Sequence, residues 1–103
     1  MNITITARKF KAHDSLKEFI TDEVQSLEKF FDEIMKAEVI LSFQPNKDSV
    51  KVAEILLSIP GQQLTATGET EDFKKSVTAC IEKLGRQLEK VKTKRTARPN
   101  DQD

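Results

Sequence analysis

The sequence predicts an α+β domain of order β-α-β-β-β-α, a four-stranded mixed sheet with two helices packed on one face. Three observations predict it. Apolar residues recur at period two in four separate segments, they recur at steps of three and four in two others, and turn residues join the last three strand segments. At 103 residues the chain fits one domain, because each half alone would be too small to bury a core. Charged residues make up 33%, but the apolar residues fall in periodic runs, which argues for a folded chain over a disordered one.

The first strand is Asn2 to Ala7, where isoleucines alternate with β-branched polar residues as on a half-buried strand. A polar connection, Arg8 to Ala12, leads to His13, Asp14 and Ser15, all candidate N-caps, and Ser15 with Glu18 forms a capping-box pattern. Leu16, Phe19, Ile20, Val24, Leu27, Phe30, Phe31 and Ile34 then trace one helical face, predicting a helix that continues to Ile34. Near Lys36 the period drops to two, with Val39, Leu41 and Phe43 facing one way and Glu38, Ile40 and Ser42 the other. Gln44 to Ser49 is turn chemistry, Val50 to Ile59 a third strand, Pro60-Gly61 a second turn, and Leu64 to Gly68 a fourth strand. Turns this short join antiparallel neighbours. The helix between the first two strands lets the first strand join the sheet in parallel through a right-handed crossover.

Thr70 is the expected cap of the second helix, with Glu71 and Asp72 in its first turn, where negative charge suits the helix dipole. Its apolar stripe is Phe73, Val77, Cys80, Ile81, Leu84, Leu88 and Val91. Past Lys94 the period stops. Residues 1–95 therefore read as the domain and residues 96–103, with Pro99, as a flexible C-terminal tail.

The 17 basic and 17 acidic residues cancel, yet they are not evenly spread. From Lys83 to Arg98 there are seven basic residues and one acidic, Glu89, a local charge of +6 that leaves −6 elsewhere. At about 100° per residue, Lys83, Arg86, Lys90 and Lys94 form a stripe beside the apolar one, with Glu82 and Glu89 on the far side. Lys92, Arg95 and Arg98 extend the positive region. Exposed helix faces are commonly charged, but they tend to interleave signs for i,i+4 support, whereas this helix segregates them. Such a row suits a phosphate backbone, where each cation displaces counterions. It also suits an acidic protein surface. With no Trp or Tyr, and with the Phe residues mostly on apolar stripes, recognition should depend on shape and phosphate rather than on base stacking. A single basic helix with no half-site partner is poor equipment for reading duplex DNA.

An enzyme is the rival class, and its only nucleophile and base are Cys80 and His13. Cys80 lies on the apolar stripe, where cysteine behaves as a small hydrophobe, and His13 sits where the first helix begins. No glycine-rich phosphate loop, H-E-x-x-H or G-x-S-x-G element occurs. One cysteine and one histidine make no disulfide or zinc framework, so neither metal nor cofactor is expected. No run approaches the roughly 18 apolar residues of a membrane span, and the chain opens directly into a strand pattern, so no membrane partner and a cytoplasmic location are expected.

The second helix, Ile81-Glu82-Lys83-Leu84-Gly85-Arg86-Gln87-Leu88-Glu89-Lys90-Val91-Lys92-Thr93-Lys94, preceded by Glu71-Asp72-Phe73, resembles the signature of ribosome hibernation-promoting factors and the ribosome-associated inhibitor, D-K-L-x-R-Q-L-x-K-x-K-x-K. Leu16 to Ile20 and Leu27 to Asp32 resemble the family's L-R-E-F-V and L-E-K-Y-F-D segments, and the similarity runs from Ile3 to about Arg95. The resemblance implies the same β-α-β-β-β-α fold, like a double-stranded-RNA-binding domain with an added strand. It also implies docking on the small ribosomal subunit, against its rRNA, in the channel between head and body that mRNA and tRNA use, with translation blocked by occupancy.

By resemblance, Lys83, Arg86, Lys90, Lys92 and Lys94 are the foremost rRNA contacts, and Lys74, Lys29, Arg8 and Lys17 are secondary ones. Glu23 and Ser26 stand where the family commonly has lysine, so part of the usual positive groove is missing. With one domain the chain looks like a short form. Short forms act either with a second, dimer-promoting factor or by holding inactive monomeric ribosomes, and the brief tail leans towards the first. Off the ribosome a monomer is expected.

Overall fold

The computed structural model describes residues 1–101, with side chains for all of them except residue 48 and residues 93–101. The strands are β1 (Asn2–Ala7), β2 (Lys36–Gln44), β3 (Lys47–Ile59) and β4 (Gln62–Thr70). The helices are α1 (Asp14–Gln25), followed at once by a 3-10 turn (Ser26–Lys29), and α2 (Phe73–Asp101). The sheet order is β1-β2-β3-β4, with β1 parallel to β2 and the other pairs antiparallel, as the sequence predicts.

The strand alternation sorts the two faces. Ala37, Val39 and Leu41, then Ala53, Ile55, Leu57 and Ile59, then Leu64 and Ala66 are buried beneath the helices. The opposite face carries half-buried Ile40, Val52 and Leu56 among Thr4, Thr6, Thr65 and Thr67. From above, Ile20, Val24 and Leu27 close the core on the α1 side, and Val77, Cys80, Leu84 and Leu88 close it on the α2 side.

Several local expectations are corrected. The first helix stops at Gln25 rather than reaching Ile34. Ser26 turns its hydroxyl onto the Glu23 carbonyl, a back-bond that competes with helix continuation, and the chain tightens into the 3-10 turn. Leu27, Phe31 and Ile34 still reach the core from this irregular path, which is why the apolar spacing outlasts the helix. Ser15 lies inside α1, whose N-cap is His13, so no capping box forms there. The expected Gln44 to Ser49 turn is shorter than predicted, because β2 and β3 meet across Pro45-Asn46 alone, with a register shift between Phe43 and Gln44. β4 also runs longer than expected, from Gln62 to Thr70. Between β3 and β4, Pro60 and Gly61 occupy the two turn positions, and Gly61 has φ +85°, the conformation glycine adopts without strain.

At the start of α2 the cap is Asp72 rather than Thr70: its Oδ1 accepts the Lys74 N–H at 3.0 Å, and its carbonyl accepts the Ser76 N–H at 2.9 Å. Thr70 braces the cap from behind, its Oγ1 accepting the Asp72 N–H at 3.1 Å. The fully buried Ser76 hydroxyl donates to the Lys51 carbonyl at 2.8 Å and accepts the Thr70 N–H at 3.1 Å, tying α2 to both β3 and β4. α2 extends past the expected boundary at residue 95; residues 102–103 of the expected tail lie outside the described residues.

Helix and sheet come into close contact at Gly68. A Cβ placed there would run into the Ser76 carbonyl oxygen and stand 3.2 Å from the Ala79 Cβ. Gly85 plays a lesser version of this part, with the Phe30 ring 3.3 Å from where its Cβ would be. Gly68→Ala should therefore cost about 2 kcal/mol, the typical penalty of overpacking, visible as a lower urea midpoint with an unchanged slope.

Candidate nucleic-acid interface

Once α2 is pinned at Gly68 and Ser76, its two flanks face fixed directions. One flank overhangs the outer edge of β4. There the Lys83 Nζ donates to the Thr67 carbonyl at 2.6 Å and the Gln87 Nε2 donates to the Thr65 carbonyl at 3.0 Å. Thr65 and Thr67 are alternate residues of an edge strand, so these side chains satisfy carbonyls that no fifth strand covers. An ammonium has three donors, so Lys83 keeps two for a partner while it holds the edge. Lys90 is exposed further along.

The other flank faces α1 across a groove of about 610 Å³. Its walls carry Glu23, Ser26, Lys29 and Phe30 on the α1 side and Ile81, Glu82, Gly85, Arg86 and Glu89 on α2. The far side on which the sequence places Glu82 and Glu89 is thus the inter-helix groove. Three carboxylates against two cations make it a poor bed for phosphate along its whole length. Arg86 stands at the crest, exposed, between groove and outer flank.

The remaining expected contacts do not gather into one site. Lys29 lies 5.5 Å from the centroid of the neighbouring Phe30 ring on the groove wall. Lys92 lines a cleft with Phe30, Phe31, Asp32 and Glu33, beyond the end of that groove. Lys74 sits in the first turn of α2 over the Phe19 ring at 5.5 Å, and Arg8 is exposed just past β1. Lys17 is exposed on α1, and the Lys94 side chain lies outside those described. The role of Gln87 went unread, because only its position over β4 reveals it. Lys9 and Lys11 could have been flagged from their spacing beside Arg8.

Cys80 is fully buried, its thiol donating to the Ala53 carbonyl at 3.2 Å. Burial pushes the thiol up to about 11, against a smaller opposing pull from Lys83. His13 is exposed at the N-cap of α1. Among the described residues no group of three or more His, Cys, Asp or Glu side chains could hold a metal ion, and no helix is long and apolar enough to cross a membrane.

Fold and surface together define a class: a small α+β module whose most distinctive surface is a charged helix laid over a sheet. The chain belongs to the Sigma 54 modulation protein / S30EA ribosomal protein family, whose model matches residues 3–96. It is similar to the ribosome hibernation promoting factor of Azotobacter vinelandii, 28% identical over 99% of this chain and 92% of that one. The ribosome hibernation promoting factor of Escherichia coli K12 is 30% identical over 91% of this chain and 96% of its own. Among solved structures, a ribosomal subunit interface protein from Coxiella burnetii superposes with a TM-score of 0.82 at 25% identity, covering 90% of this chain and 99% of that one. The N-terminal domain of Protein Y from Thermus thermophilus shares the fold, with a TM-score of 0.78 at 22% identity over 88% of this chain and 99% of that domain.

The raised Cys80 pKa bears on reactivity. At pH 8 the native thiol should be almost wholly protonated and shielded, so Ellman's reagent should label it far more slowly than in 8 M urea. Equal rates in the two conditions would contradict the burial. Because the folded-state pKa lies above the ordinary 9.0, any stability the neutral thiol contributes is complete below pH 9 and declines as pH rises towards about 11.

Proposed function

We propose that this chain is a cytoplasmic ribosome hibernation factor that docks on the small ribosomal subunit, against its rRNA, in the channel that mRNA and tRNA use, and silences translation by occupying it. The observation that carries this reading is the near-complete two-way match to proteins named ribosome hibernation promoting factor, which leaves no large part of either chain unaccounted for. Residues 1–95 are the binding domain. No chemistry is required, since a folded body in the channel excludes other occupants.

The charge geometry refines which surface does the binding. Arg86 on the crest, with Lys90 and Lys83 on the outer flank, presents cations that no carboxylate of the described residues pairs with. Lys94 follows Lys90 by one turn in the sequence, while Lys92 lines the separate cleft with Asp32 and Glu33. Glu23, Glu82 and Glu89 turn the groove wall away from phosphate, so the α1 side, including Lys29, contributes less. Without an exposed Trp or Tyr the contact is to phosphate and shape, and it weakens steeply with salt. The protein works as a monomer, alone or beside a second, dimer-promoting factor.

Sucrose-gradient sedimentation with purified ribosomes tests the reading. The protein should travel with small subunits and whole ribosomes, and RNase treatment should release it; a shift of ribosomes to a dimer peak would assign it to the dimer-promoting branch. Arg86→Glu with Lys90→Glu should lower the slope of log affinity against log salt by about 2 and weaken binding at least about tenfold, with the thermal unfolding midpoint unchanged. Lys83 is left intact in this pair because it also holds the β4 edge. Normal cosedimentation of the double variant would remove α2 from the interface.

A further inference from the structure

At the end of the sheet where α2 begins, three connections meet: residues 8–13 after β1, the Pro45-Asn46 turn, and the turn before Phe73. Three phenylalanines lock them together. The Phe10 ring stacks on Phe73 with centroids 5.0 Å apart and meets Phe43 edge-on at 5.2 Å; Phe43 and Phe73 lie 5.5 Å apart. Lys9 has φ +66°, the only non-glycine residue of the described chain in the left-handed region. That reversal turns Phe10 back into the cluster and leaves Arg8, Lys9 and Lys11 exposed around it.

Lys9 lines a cleft of about 350 Å³ with Phe43, Gln44 and Pro45, and Lys11 lines a second of about 360 Å³ with Ala12, His13 and Asp14. Lys51 lies behind them, 5.7 Å from the Phe43 centroid. The carboxylates at this end are largely committed. Asp72 caps α2, and Glu71 pairs with Lys75 at 2.9 Å, which lowers its pKa, with Lys51 adding a smaller pull. Asp14 lines the cleft with Lys11, and among the described residues none of Arg8, Lys9 and Lys11 forms an ion pair.

The geometry points to a second phosphate-binding surface, built by Arg8, Lys9 and Lys11 with Lys51 behind them, that grips an RNA backbone segment separate from the one met by Arg86 and Lys90. It rests on the ribosome-binding reading above. Lys74, at this end of α2, and Lys90 are sixteen residues apart in sequence, about 24 Å at 1.5 Å per residue, so the two surfaces cannot share one or two phosphates. The ligand is the backbone rather than the bases, because the groups exposed here are cations, while the phenylalanine rings pack against one another. The domain then spans two stretches of RNA as a strut, which ties its orientation as well as its affinity to charge.

The test uses the full chain with Arg8→Gln, Lys9→Gly and Lys11→Gln; glycine at position 9 keeps the left-handed backbone, and unfolding curves check the fold. Affinity for purified small subunits and for a protein-free small-subunit rRNA transcript is measured from 50 to 300 mM KCl. The expected result is a salt slope lower by about 2 to 3 and affinity down at least about tenfold on both probes, adding to the loss from Arg86→Glu with Lys90→Glu. An unchanged slope and affinity, with the unsubstituted protein binding normally, overturns this surface alone. Loss on subunits but not on the transcript overturns the RNA assignment and places a ribosomal protein against the loop. Failure of the unsubstituted protein to bind subunits overturns the ribosome reading, and this inference with it.

Discussion

The contact on which the molecule's surface depends is the approach of α2 to β4 at Gly68, sealed by the Ser76 hydroxyl between the Lys51 carbonyl and the Thr70 amide. A helix held at one close point and one buried hydrogen-bonded side chain has little freedom to roll about its axis. Every described side chain of α2 thereby acquires a direction. The outer flank falls over the β4 edge, the crest faces solvent, and the inner flank meets α1. Had the helix rolled by one position, all its side chains would have turned together. Lys83 and Gln87 would have swung off the β4 edge and Glu82 and Glu89 out of the groove, and the assignment of cations and carboxylates to separate flanks would be lost.

That separation gives the domain its polarity. The cations of the outer flank and crest are exposed, and so are Glu82 and Glu89, but these glutamates line the groove where the helices converge. A domain of zero net charge can then orient in the field of a large polyanion without being drawn to every anionic surface. The Coxiella burnetii subunit interface protein shares this fold, and in this chain Glu23 stands on the α1 wall of the groove, opposite Glu82 and Glu89.

The parity of the strands and the angular order of α2 could be read from the sequence because both follow from the geometry of a single element: Val39 and Leu41 are buried, Lys83 and Leu84 point apart. What could not be read depends on two elements at once. Nothing within α2 says that one flank meets a strand edge and the other meets Glu23. The 3-10 turn after Gln25 was hidden because Leu27, Phe31 and Ile34 serve the core at the same spacing a helix would give. The cap of α2 was misplaced by two residues, since Thr70 and Asp72 are both good caps and only the path of the chain chooses between them. For the expected contact residues, the helical wheel orders the cations within α2, but it cannot show that Arg8 and Lys74 lie at the far end of the domain from Lys90.

The two borders of the sheet are treated differently. On β4, Lys83 and Gln87 occupy carbonyls that a foreign strand would need. On β1, Asn2 and Arg8 turn their amides to Met35 and Leu41, which leaves the backbone amides of the alternate residues Ile3, Ile5 and Ala7, whose side chains pack on the core, at the open border of an uncharged strand. A sheet with one sealed border can join to another copy at most once, so strand pairing between molecules stops at two and has no second border from which to lengthen. Crowded together, such a protein has a built-in terminator against fibre growth, supplied by the side chains of α2 that lie over the β4 edge.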